Sequence, residues 1–153
     1  MGKLLFIFNP YAGKGRIRNK LLDIIEVFAG HGYEVTVYPT KEPGDAVGAA
    51  REKGNEYDLV VCSGGDGTLD EVVTGLMGCE RKVPVGYIPA GSTNDFGVSL
   101  GLPKNMVEAA RIAVSGRRFA CDIGGFNQDT FVYIAAFGIF TDVSYETSQN
   151  VKN

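Results

Sequence analysis

One stretch of the chain concentrates groups suited to phosphate chemistry: Gly64-Gly65-Asp66-Gly67-Thr68-Leu69-Asp70-Glu71. Glycines at such a turn permit positive φ and let a backbone approach an anion closely. If the turn opens a helix, free N–H groups and the helix dipole favour a phosphate there. Asp66, Asp70 and Glu71 would repel a bare anion, but they suit a triphosphate that carries magnesium. Asp66 then serves as a metal ligand, direct or through water. Gly64, Gly65, Gly67, Thr68 and Leu69 form the phosphate turn around it. Thr68 and Glu71 also match the Ser/Thr-x-x-Glu box that caps a helix beginning at Thr68. A cap accounts for those two residues and leaves three glycines around one Asp unexplained.

Three further segments carry small and polar residues. Asn9-Pro10-Tyr11-Ala12-Gly13-Lys14-Gly15 ends the first apolar run. It is not a Walker A loop, because Phe8 fills the first glycine position and Gly15 follows the lysine. Lys14, Arg16 and Arg18 fall at a helix start, where the dipole disfavours cations unless an anion is bound. Arg18 reads better as a solvated base. Near residue 90, Ser92 and Thr93 offer hydroxyls, while Asn94 and Asp95 can cap a following turn. An ordinary turn explains these four equally well. Asp95 joins Asp66 as a candidate metal ligand, and Thr40 gains weight only from its position after the second strand.

The elements that must position these segments alternate. Strands are expected at 3–8, 33–40, 57–63 and 83–89, and helices at 17–29, from Pro43-Gly44-Asp45 to about 53, at 68–78 and at 104–114. This grammar predicts an α/β fold: an open, mainly parallel sheet with helices on both faces and right-handed crossovers. Ligands of such sheets bind beyond the carboxyl ends of the strands. All four segments fall there, so their common location carries more than any one motif. After Gly116 two strand-like runs, 117–126 and 130–140, flank Asn127-Gln128-Asp129 and predict an antiparallel hairpin. Phe126, Phe131, Tyr133, Phe137 and Phe140 on it need a cover, which a homodimer could supply. The chain thus reads as an α/β unit, 1–118, followed at 119–153 by the opening of a truncated, β-rich second domain.

Composition excludes several classes. With 153 residues, 44% of them hydrophobic, one core fits and a complete second domain does not. A net charge of -3 gives no basic field for nucleic acid. Three dispersed cysteines and a lone His31 argue against a zinc site or a disulfide framework. The apolar run 4–8 is too short for a signal peptide, and no run is long enough to span a bilayer. A cytoplasmic protein is expected.

"NPYAGKG", "GGDGTLDEV" and "PAGSTNDF", in this order, resemble the catalytic domain of the diacylglycerol kinases, in particular the bacterial soluble lipid kinases. The similarity extends over nearly the whole chain. The Gly-Gly-Asp-Gly-Thr turn is shared with phosphofructokinases and NAD kinases; the Pro-x-Gly-Ser/Thr-x-Asn-Asp-Phe segment narrows the choice. The resemblance implies an ATP-dependent, Mg2+-dependent kinase acting on a lipid hydroxyl such as that of diacylglycerol, with peripheral contact at the inner membrane face. It places nucleotide contacts on 9–13, Thr40, 65–71 and Ser92. Asp70 stands where the family often has Asn, and Ser92 where it often has Thr. The resemblance also implies a catalytic base and further metal-binding acids in a second domain, so the chain alone is expected to be inactive or nearly so. A kinase with a soluble acceptor, such as NAD or a sugar phosphate, and a non-enzymatic nucleotide-binding module remain the alternatives.

Overall fold

The fold was taken from a computed structural model, which describes residues 2–91, 97–98 and 101–115, and the backbone of 117–122 and 131–136. β1 (Gly2–Phe8) has no polar side chain to show solvent over 4–8, and it lies inside the sheet, one strand in from the edge, with Leu4, Leu5, Phe6 and Ile7 fully buried. β2 (Tyr33–Pro39) and β3 (Leu59–Gly64) flank it, and β4 (Val85–Pro89) follows β3, all pairing in parallel. Between them run α1 (Ile17–Gly30), α2 (Asp45–Lys53) and α3 (Asp66–Leu76), with α4 (Met106–Ser115) after β4. Asn105 caps α4 by accepting the Glu108 N–H at 3.0 Å.

The two-residue period of the strands sorts the core into two layers. Leu5, Ile7, Val60, Cys62, Val85 and Tyr87 face α2 and α3, meeting Ala49, Leu69, Val72 and Val73. Leu4, Phe6, Leu59, Val61 and Ile88 face α1 and α4, meeting Ile17, Ile24, Phe28 and Ala109. The expected α/β architecture with helices on both faces is therefore what the chain adopts.

The expected hairpin is present as backbone: β5 (Arg117–Asp122) pairs antiparallel with β6 (Phe131–Ala136). β6 lies parallel beside β4 through Val85 and Ile134, giving one sheet in the order β2-β1-β3-β4-β6-β5. The pairing covers an edge that β4 would otherwise leave open. The connecting turn and the five aromatic side chains named for this hairpin lie outside the described residues.

α2 and α3 approach unusually closely at Gly75. A Cβ there would sit 2.3 Å from the Val47 carbonyl oxygen and 2.7 Å from Ala50 Cβ. Gly→Ala in a helix ordinarily gains about 0.5–1 kcal/mol. Gly75→Ala is instead expected to lose about 1–3 kcal/mol through overpacking, read as a lower urea midpoint.

Candidate functional site

The parallel topology gathers the loops after β1, β2 and β3 around a cavity of about 500 Å³ beyond the strand ends. Asn9, Tyr11, Ala12 and Gly13 form one side, and Thr40, Lys41, Glu42 and Pro43 another. Gly65, Gly67, Thr68 and Glu71 close it at the start of α3, with Gly91 beside them. Nine residues singled out from the sequence thus share one space: Asn9, Tyr11, Ala12, Gly13, Thr40, Gly65, Gly67, Thr68 and Glu71. Pro10, Lys14, Gly64, Asp66, Leu69 and Asp70 are outside its lining. Ser92, Thr93, Asn94 and Asp95 lie outside the described residues.

The first loop is curled and tied. Asn9 donates its N–H to the Ser63 carbonyl at 2.9 Å, and its Oδ1 accepts the Tyr11 N–H at 2.9 Å. Gly13, Lys14 and Gly15 then take left-handed conformations in succession, φ 55, 65 and 73. Lys14 carries a side chain in a region that costs an L residue about 1–2 kcal/mol. Gly13 is fixed more tightly still, because a Cβ there would lie 1.9 Å from the Ala90 carbonyl oxygen. Arg18 belongs to the loop's framework: its Nε donates to the Pro10 carbonyl at 3.2 Å and its guanidinium lies 5.0 Å from the Tyr11 ring centroid. Lys14 faces a neighbouring cavity of about 450 Å³, shared with Gly13, Arg16 and Lys104.

The glycine turn works differently from the expectation. Gly64, Gly65 and Gly67 are absent from the positive-φ residues, and Gly65 is extended at φ -81, ψ -176. Their value is steric. A Cβ at Gly64 would press on Thr68 Oγ1, whereas Gly67 opens on empty space and Gly65 meets only Gly91 Cα, at 3.7 Å. The capping box is likewise replaced. The helix begins at Asp66, two residues earlier than the Thr68 start predicted, with Gly65 at its N-cap and no side-chain cap. That early start shifts the box out of register, and Glu71 Oε1 instead accepts the Gly44 N–H across the cavity at 3.0 Å. It also turns Leu69 inward, fully buried, so only its backbone could serve a ligand. Asp70 points along the helix to Thr74, whose hydroxyl lies 3.5 Å from its Oδ1.

Tyr87 is the residue that sequence reading missed. Its hydroxyl lies 3.1 Å from Asp66 Oδ1 and 3.1 Å from the Gly64 carbonyl oxygen, so one donor serves both. The available signal was a phenol inside an otherwise apolar strand, "VGYIP". Burial, then the nearby Cys62 and Asp66, drives the Tyr87 hydroxyl well above its ordinary 10.0. Burial also raises the Cys62 thiol from 9.0. Both groups are neutral when protonated, so the folded state resists their ionisation while the unfolded chain does not. The stability these two groups contribute is therefore full below pH 9 and falls as pH rises past 9 and then 10. Cys62→Ala is expected to remove the earlier part of this alkaline loss in a melting-temperature series.

A helix N-terminus without a side-chain cap, beside two glycines that leave room, fits phosphate oxygens. Among the described residues no group of three or more His, Cys, Asp or Glu could hold a metal by itself. Magnesium carried by phosphates needs only one or two carboxylates, which Asp66 can supply in part.

The diacylglycerol kinase catalytic domain matches residues 3–126. The chain is 40% identical over 148 residues to a diacylglycerol kinase of Staphylococcus epidermidis (strain RP62A), covering 96% of this chain and 47% of that protein. It is 36% identical over 154 residues to one from Bacillus subtilis (strain 168), covering 99% of this chain and 51% of that protein. The crystal structure of a diacylglycerol kinase from Bacillus anthracis str. Sterne superimposes with a TM-score of 0.71 at 35% identity, over 78% of this chain and 41% of that one. The chain spans about half the length of the curated relatives it matches. With its fold, the cavity at its strand ends and the match over 3–126 in agreement, this chain belongs to the diacylglycerol kinase catalytic domain family.

Proposed function

We propose that the chain is the nucleotide-binding part of an Mg2+-dependent lipid kinase, which moves the γ-phosphate of ATP to a lipid hydroxyl such as that of diacylglycerol. The observation that carries this reading is the convergence of the loops after β1, β2 and β3 on one cavity in a member of this family. The backbone at Gly65, Gly67 and Thr68 would receive the phosphates at the start of α3, and the curled 12–15 segment would flank them. The 40–43 wall would take the nucleoside end. Ser92, with Thr93 and Asn94, would complete the phosphate side, and Asp95 would join Asp66 on the metal.

Asp66, held through Tyr87, would orient the cation. Magnesium supplies charge neutralisation across the transferring phosphate. The acceptor oxygen bonds to the γ-phosphorus as the bond to the β–γ bridging oxygen breaks, leaving ADP. The group that takes the acceptor's proton is proposed to lie in the remaining length of the relatives, in the β-rich domain starting near residue 119. A lipid acceptor also requires work at a membrane surface by peripheral contact, and no helix of the described residues is long and apolar enough to cross one.

The test is label transfer. A form of the protein that extends over the full length of its relatives, given γ-labelled ATP with either diacylglycerol or NAD, is expected to label the lipid. Label found only in a water-soluble product would contradict the lipid reading and favour a soluble acceptor.

A further inference from the structure

The 40–43 wall of the cavity belongs to no helix or strand, yet two carboxylates pin it. Asp45, the first residue of α2, accepts the Tyr38 hydroxyl through Oδ1 at 2.8 Å and the Lys41 N–H through Oδ2 at 2.8 Å. Both bonds favour the ionised carboxyl, which is held below its usual range chiefly by the Lys41 N–H and then by Tyr38. From the other side, Glu71 Oε1 takes the Gly44 N–H. Gly44 sits at φ 90 at the start of α2, where no side chain caps the helix, so this bond fixes the turn at its sharpest point. Thr40 is tied as well, through its N–H to the Phe8 carbonyl at 2.8 Å.

Asp45 itself is not part of the cavity lining. Its effect must therefore pass through the wall it holds. The sheet order says which end of a ligand that wall meets. The phosphate-suited start of α3 follows β3, whereas the wall follows β2, the edge strand on the far side of β1. A nucleotide with its phosphates at Gly65 and Gly67 can extend its nucleoside end across the cavity to residues 40–43.

We propose that Asp45 is a positioning residue which, with Tyr38, presets the 40–43 wall for the nucleoside end of the nucleotide, while Glu71 locks the same turn from α3. The inference rests on the nucleotide reading above. It predicts a split that general destabilisation would not produce: substitutions at Asp45 weaken ATP and spare inorganic tripolyphosphate, which lacks the nucleoside.

The experiment is calorimetric titration of the 153-residue chain and its variants with Mg-ATP and with Mg-tripolyphosphate. Asp45→Ala is expected to weaken ATP about tenfold, the scale of losing a hydrogen-bonded charged group. Tripolyphosphate affinity should stay within about twofold, inside the scatter of such estimates. Asp45→Asn, which can accept from Lys41 and donate to the Tyr38 oxygen, should restore most of the ATP affinity. If Asp45→Ala does not fold, Tyr38→Phe carries the same comparison, since it removes only one hydroxyl. Variants that bind ATP like the wild type, or lose both ligands in equal proportion, overturn the proposal and leave the nucleotide reading standing. A wild-type chain that binds neither ligand overturns both.

Discussion

Gly13→Ala is expected to lower the affinity for Mg-ATP by about a hundredfold or more, the scale of displacing a binding loop by roughly 1 Å. Two effects act together. Gly13 sits at φ 55, a conformation that penalises any side chain. The added Cβ would also lie 1.9 Å from the Ala90 carbonyl oxygen, a backbone atom at the end of β4 that cannot rotate away. The loop has to leave its seat, and Asn9, Tyr11 and Ala12 leave the cavity wall with it. Gly15→Ala is the control. Its φ of 73 is strained too, but the nearest atom is the Pro10 carbonyl oxygen at 3.2 Å, so the loop can stay close to its place. Titration with ATP, alongside a melting curve, checks both; wild-type affinity in Gly13→Ala would refute the role given to the loop.

The second large effect concerns chemistry. Under the proposed function, Asp66→Asn is expected to reduce turnover in the label-transfer assay by about a hundredfold or more, as when a charge-stabilising group is lost from a transition state. The fold should survive, because Asn keeps an acceptor oxygen for the Tyr87 hydroxyl. Tyr87→Phe separates orientation from charge: it keeps the carboxylate and removes one hydrogen bond that orients it, so a smaller loss of about tenfold is expected. Equal turnover in Asp66→Asn and wild type would contradict the metal role proposed for Asp66.

The alternation of elements was legible because strands covered on both faces read as apolar runs, as 4–8 does, while 17–29 shows helical spacing. The convergence of the loops then followed from parallel topology. The contacts that tune the site were not legible, since they depend on register and distance along the chain. Tyr87 reaches Asp66 only because β4 pairs with β3 so that Tyr87 lies opposite Cys62 and Pro89 opposite Gly64. Glu71 and Gly44 are 27 positions apart, and a local match to a capping box hid their bond. The left-handed run at 13–15 was masked by Lys14, a residue that seldom adopts that conformation. Docking of the hairpin on β4 was hidden too, because an antiparallel pair in sequence says nothing about which sheet it extends.

The central claim is that Mg-ATP occupies the strand-end cavity, and an amide chemical-shift titration of the 15N-labelled chain tests it most directly. The account predicts saturable shifts concentrated at Gly13, Thr40, Lys41, Gly65, Gly67 and Thr68, larger with magnesium than without it. Shifts confined to other surfaces, or none at millimolar Mg-ATP, would contradict it.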